Sequence, residues 1–357
     1  MLFIIGLSTI VVRLCVAFGV GDCWLSRQMY HVDWHGFAHH DTIFPLFLFI
    51  AGVSFPFSYA KMRVKGWTLK NIVGKLVYRA FMLVLLGMIY NGLLTKGFAE
   101  VRWASVLGRI GLAWMFAAFL YLAFTCRTRI VIAVGLLAGY WAIMRFAVVP
   151  GAPEGVDPWS QEWNFAAYID KLFLPNPLSR TRADPEGILS TLPAIVTTML
   201  GMFTGEFVRW NGCCGQGCAR PASGSKVVAM LAAAVVMLSA GLVWSSWMPI
   251  NKKLWTSSFV LVSGAYSLAL FAIFYWAVDV KMWRTWTLPL RVVGMNAITV
   301  YLLQRIVDID SISRFFLSGV SRLLSQELGL VLISMGHLAV CWLILWFLYR
   351  KGVFLKV

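Results

Sequence analysis

The sequence predicts an all-α, polytopic membrane helix bundle of about ten transmembrane helices, with both termini cytoplasmic. Three observations carry that reading. Hydrophobic residues make up 60% of the 357-residue chain and charged ones 13%, and the mean hydropathy is +0.77; a water-soluble protein of this size cannot hide so much apolar surface. Apolar stretches of about 20 residues recur along the whole length, which is what a helix needs to cross a bilayer core. Lys and Arg gather on alternate connections. Segments 61–79, 126–129, 209–226, 279–291 and 350–357 hold 17 of them in 62 residues, and the opposite connections hold 11 in 98, which puts the first set on the cytosolic side.

The spans follow in order. The first, 1–20, carries Arg13 near one end. The second, 41–60, opens at Asp41, where a carboxylate suits a helix N-terminus. The third, 80–94, comes after "KMRVKGWTLKNIVGKLVYR", read as a cytosolic basic loop over 61–79. Spans at 103–125 and 130–149 bring Arg109 and Arg145 into or near the membrane. Residues 150–187 are rich in Pro, Gly and Trp and too polar to span, so they read as an ordered loop capping the outer face. Spans at 188–208, 227–247, 256–278, 287–304 and 329–349 complete the set, with Asn296 near the middle of the ninth. No repeat or soluble second domain is visible, and 1–357 reads as one transmembrane domain.

Net charge is +16. In a membrane chain this is the signature of basic cytosolic loops; no basic stretch has the interleaved aromatics of a nucleic-acid stacking platform. Cys15, Cys126 and Cys341 lie in or beside spans and read as small apolar fillers. Cys213, Cys214 and Cys218 supply three thiols in a glycine-rich loop, one ligand short of a structural zinc site.

Residues 31–41 read "HVDWHGFAHHD", with four of the five histidines. The spacing of His31, His35 and His39 admits a metal site on a helix, acid–base work, or a polar interface loop; Gly36 weakens the helical option. Asp41 can orient a histidine and fix its tautomer. The outward orientation puts this run one membrane thickness from the basic loop.

These motifs resemble a family. "HVDWHGFAHHDTIFPLFLFIAGVSF" is similar to the pattern H-x-x-W-N-G-x-x-x-x-D-L-x-F-P-x-F-x-F-I-x-G of heparan-α-glucosaminide N-acetyltransferase and its bacterial relatives. The resemblance continues in "GKLVYRAFMLVLLG", "RWASVLGRIG", "DPEGILSTLPAIVTTMLG", "PINKKLWTSSFVL", "GMNAITVY" and the terminal "LYRKGVFLKV". The blocks keep their order and cover nearly the whole chain. The resemblance implies a transmembrane acetyltransferase of a bacterial inner membrane. It would take acetyl-CoA from the cytosol and deliver the acetyl group to an amine, the amino sugar of a glycan, on the far side. It implies His31 and Asp41 as the catalytic pair and, from the family's dimeric relative, a homodimer. Two departures stand out. Relatives begin the first span with a segment like L-D-A-L-R-G-F-D, and Ser8 falls near an asparagine of the lysosomal enzyme. The large lumenal domain of the animal enzyme has no counterpart here.

Acetyl transfer to an amine needs a proton acceptor, donors for the thioester oxyanion, and a proton for the leaving thiolate. His31 suits the first and third, as general base or as a nucleophile that carries the acetyl group. Lys75, Arg79 and Arg109 are the candidates for the phosphates of acetyl-CoA. Asn251, Lys252, His35, Glu186 and Asn296 are the candidates for the acceptor. No metal is expected. The competing reading is a multi-span transporter or flippase for a lipid or sugar, to which ten spans and midplane polar groups are also suited.

Overall fold

The computed structural model describes residues 1–174, 184–210 and 223–355. Among these residues there is no strand, and the α-helices are α1 (Ser8–Ala17), α2 (Trp24–Arg27), α3 (Ile43–Val64), α4 (Leu69–Tyr90), α5 (Leu93–Glu100), α6 (Val106–Ala123), α7 (Cys126–Phe146), α8 (Phe165–Phe173), α9 (Thr191–Arg209), α10 (Ser223–Trp244), α11 (Ser257–Tyr275), α12 (Leu288–Met295), α13 (Ala297–Ile306), α14 (Ile309–Ser321) and α15 (Gln326–Arg350). The loop holding Cys213, Cys214 and Cys218 lies outside the described residues.

The ten expected spans resolve differently from the sequence reading. Among the described residues eight helices are long and apolar enough to cross a membrane; the pair α12 and α13, bent by 58°, is a broken span or a re-entrant loop. The first apolar helix, Phe3–Ala17, is shorter than a crossing needs and is interrupted at Gly6, whose φ is 127°. The bend between α12 and α13 falls on Asn296, whose φ of −119° and ψ of 29° are not helical.

The basic loop is a second correction. Most of 61–79 is helix: α3 runs on to Val64 and α4 starts at Leu69, capped by Thr68, which accepts the Asn71 N–H at 3.3 Å. Only Lys65–Thr68 turns, with Gly66 at a φ of 76°. Long Lys and Arg stems lie along apolar surface while their heads reach water, so the helices continue past the point where hydropathy falls.

The chain divides into two compact units. One comprises Asp33–Phe37 and Phe44–Lys281, the other Met1–Val32, Ala38–Ile43 and Met282–Val357. In the larger unit α4 packs on α6, α6 and α7 on α9, and α10 on α11. Its core gathers Leu48, Phe55, Ile72, Leu76, Trp114, Met199, Trp255 and Phe259. Between apolar helices in lipid, close packing replaces the hydrophobic drive, and small residues let backbones approach. Here α3 and α9 meet in that way: a Cβ on Gly52 would strike the Thr198 carbonyl, and one on Gly201 the Phe49 carbonyl. In the smaller unit α1, α12 and α14 pack on α15, around Ile5, Val292, Val293, Val300, Ile309, Cys341 and Leu345.

Candidate active site

The histidine run is shared between the units: His31, His39, His40 and Asp41 belong to the smaller, His35 to the larger. In the smaller unit Asp41 sits in a 3₁₀ turn, His39–Thr42, that leads into α3. Its carboxylate is 2% exposed. Oδ1 lies 2.7 Å from His31 Nδ1, and Oδ2 accepts the Val32 N–H at 3.3 Å. With Nδ1–H donated to this buried carboxylate, Nε2 of His31 is the basic nitrogen. The His31 side chain is 53% exposed, so that nitrogen is on an accessible ring.

The pair rests on a small scaffold. The His40 ring meets the His31 ring edge-on at 4.5 Å, and its Nδ1 is 3.2 Å from Ser8 Oγ. Gln28 holds the turn from below: its side-chain oxygen accepts the His39 N–H at 2.8 Å and its carbonyl the His40 N–H at 3.1 Å.

In the larger unit His35 faces Asn251. The Asn251 side chain is fully buried, and its Oδ1 accepts the Leu254 N–H at 3.0 Å, which turns Nδ2 toward His35 Nδ1 at 3.3 Å. An Nδ1 that accepts leaves the proton on Nε2. His35 therefore holds the opposite tautomer to His31: it presents a donor where His31 presents an acceptor. Burial pushes the His35 pKa below the ordinary imidazole value, against the pull of Asp157. The Gly36 N–H reaches the Ile250 carbonyl at 2.9 Å, and Lys253 reaches the Asp33 carbonyl at 2.6 Å. Lys252 is half-buried in the same turn.

A charged cluster occupies the start of α6 and α9 in this unit. Arg102 donates from Nε to Asp184 at 2.9 Å, and its Nη2 contacts Asp184 and Glu186. Burial alone would lower the Arg102 pKa; the two carboxylates outweigh it and raise it. Asp170 accepts the backbone N–H groups of Ile188 at 2.9 Å and Asp184 at 3.2 Å. Burial, reinforced by Asp184, pushes its pKa up to about 6. Arg109, 2% exposed, donates to the Gly187 carbonyl at 3.1 Å and to Ser190, and lies 5.1 Å over the Trp255 ring.

The chain is thus a membrane-helix protein with a buried Asp paired to an exposed His ahead of a candidate span. No family model matches it. Two curated proteins do. Heparan-alpha-glucosaminide N-acetyltransferase of Homo sapiens is 27% identical over 354 residues, which cover 82% of this chain and 50% of that protein. The Mus musculus protein of the same name is 27% identical over 347 residues, covering 84% and 52%. The chain is similar to these two N-acetyltransferases at 27% identity. It spans about half the length of the curated relatives it matches.

With that relationship in place, the remaining candidates sort by position. Lys75 and Arg79 are one turn apart on α4. Lys75 sits 5.3 Å over Trp67 and Arg79 4.3 Å over Trp114. Together with Arg109 on Trp255 they form a series of cations, each on an aromatic face, from the α3–α4 turn toward the start of α6. Trp114 and Arg109 are five residues apart on α6, about 7.5 Å along the helix. Arg79 Nε and Arg109 Nε and Nη1 are buried without a partner among the described residues. Glu186 is engaged with Arg102. Asn296 belongs to the smaller unit, where it is buried at the α12–α13 bend. Among the described residues no three His, Cys, Asp or Glu side chains gather as metal ligands.

Sequence reasoning passed over three side chains. Arg102 stands in "RWASVLGRIG", seven residues before Arg109, and its place in that block was the available signal. Asp170 carries no sequence signal beyond a lone acid in an amphipathic segment. His40 carries no spacing signal of its own, and Ser8, singled out in the sequence, is the residue it faces.

Proposed function

We propose that this chain is a transmembrane acetyltransferase that moves an acetyl group from cytosolic acetyl-CoA to the amine of an amino sugar in a glycan on the outer face. The observation that carries the reading is the 2.7 Å contact between His31 Nδ1 and buried Asp41. A buried carboxylate on Nδ1 fixes the tautomer, raises the basicity of Nε2 and stabilises the imidazolium that proton transfer creates. Nε2 of His31 removes the amine proton as nitrogen attacks the thioester carbonyl, and the imidazolium returns a proton to the leaving thiolate. His35, with its Nε2–H, Asn251, Lys252 and Glu186 are assigned to the acceptor. Lys75, Arg79 and Arg109 are assigned to the anionic part of acetyl-CoA, because stacked guanidinium and ammonium groups recognise phosphate. The proposed orientation, with the turn between α3 and α4 cytosolic and the His31 run outward in a bacterial inner membrane, rests on the Lys and Arg bias. A homodimer completes the reading by analogy with the family.

Membrane vesicles given labelled acetyl-CoA and a terminal glucosaminide test it. Transfer is expected, with at least about a hundredfold loss in His31→Ala. Full activity in that variant would remove His31 from the mechanism. The bend at Asn296 favours the second reading, a transporter or flippase, since broken helices line substrate paths in transporters. Substrate movement in proteoliposomes without acetyl-CoA would favour it over transfer.

A further inference from the structure

We propose that Cys15 and Cys23 form a thiol–disulfide site that staples the loop carrying the His31–Asp41 pair. The two sulfurs are 3.5 Å apart. Cys15 is buried near the end of α1, and Cys23 is partly exposed at the head of α2. Between them the chain makes one tight reversal, with Val20 N–H on the Cys15 carbonyl at 2.9 Å, Cys23 N–H on the Val20 carbonyl at 3.0 Å, and Gly19 at a φ of 73°. The reversal holds the thiols together before any bond forms, so closing it asks for side-chain rotation and not a backbone rearrangement.

The two thiols are chemically unequal. Cys23 Sγ accepts the Ser26 N–H at 3.4 Å. That N–H first, and the Cys15 thiol after it, hold the Cys23 pKa below the ordinary thiol value. Cys23 is therefore the attacking sulfur and Cys15 the resolving one. The oxidant is a disulfide, small-molecule or protein. Cys23 thiolate attacks one of its sulfurs and releases the first donor thiol. Cys15, giving up its proton, then displaces the second. The pair loses two electrons and two protons in all, and the donor is reduced to two thiols.

The site is wired to the candidate active site by hydrogen bonds within one unit. The Arg27 N–H meets the Cys23 carbonyl at 3.1 Å, the Gln28 N–H meets the Trp24 carbonyl at 3.1 Å, and Gln28 then holds both His39 and His40. The disulfide fixes the start of this series, and its effect on catalysis rests on the role proposed for His31. On the proposed orientation the pair faces the oxidising side of the membrane, where such bonds persist.

The test uses the full chain in detergent, with Cys126, Cys213, Cys214 and Cys218 changed to Ser, treated with oxidised or reduced glutathione. Non-reducing peptide mapping is expected to show Cys15 joined to Cys23, two hydrogens lighter than the dithiol. Cys23 left as a stable glutathione adduct, or both thiols left intact, would overturn the assignment. Amide exchange over Gln28–Asp41 is expected to slow about threefold or more on oxidation, and not in the Cys15→Ser/Cys23→Ser variant. Equal exchange in both redox states would overturn the coupling. Absence of acetyl transfer in both states would instead overturn the proposed function and leave the thiol site standing.

Discussion

At the scale of single residues, Asp41 does two things at once. It accepts the hydrogen bond of His31 Nδ1–H and that of the Val32 N–H. Asp41→Asn keeps the size of the group but offers an N–H to the ring, so the wrong tautomer is favoured. The expected result is a fall in kcat of roughly 10²–10⁴ with little change in KM, read by steady-state kinetics in vesicles. Asp170 gives a pH signature of a different kind. Its folded pKa, about 6, is above the ordinary 3.8. A carboxyl raised on folding contributes stability that is full below about 3.8 and is lost as pH rises through about 6. Thermal unfolding in detergent is therefore expected to gain about 2–3 kcal/mol between pH 7.5 and pH 4 from this group, and Asp170→Asn is expected to remove that part of the dependence. Residue-scale legibility was uneven for a physical reason. His31 and Asp41 lie ten positions apart in one motif, so their pairing could be anticipated. Arg102 meets Asp184 across 82 positions, and nothing in local spacing announces a partner that distant.

At the scale of elements, the spans followed from hydropathy and their ends did not. Hydropathy registers where apolar side chains stop, whereas helices stop where backbone hydrogen bonding stops, at Thr68 for α4. The same distinction hid the bend at Asn296, because the apolar run continues through it. Helix contacts were also beyond reach of composition: Gly52, Gly201 and Gly205 look like dispersed glycines until α3 and α9 are laid together. Gly201→Leu puts a branched side chain onto the Phe49 carbonyl, and overpacking of that kind is expected to cost about 3 kcal/mol. Loss of a monodisperse peak in size-exclusion chromatography, or a lowered Tm, reads it; a Tm equal to that of the parent protein would show that α3 and α9 do not meet as described.

At the scale of the whole molecule, the all-helical membrane architecture was legible because composition alone excludes a soluble chain of this length. Sidedness rests on the Lys and Arg bias and has its own test. Single cysteines at Lys65 and Gly151 in a cysteine-free background are expected to react with an impermeant maleimide from opposite sides of the membrane. Labelling of both from one side would reverse or cancel the proposed topology. The division into two units was not legible, since the smaller one is built from the two ends of the chain and sequence windows see only neighbours. That discontinuity bears on biogenesis. Residues 1–32 are made well before those partners in the unit that begin at Met282. At synthesis rates of about 5–20 residues per second, the early segment waits roughly 12–50 s before those partners emerge. A ribosome that stops before Met282 has made the histidine turn but none of the late segment of its unit, so the unit that holds the candidate catalytic pair is completed only after the larger unit has been made.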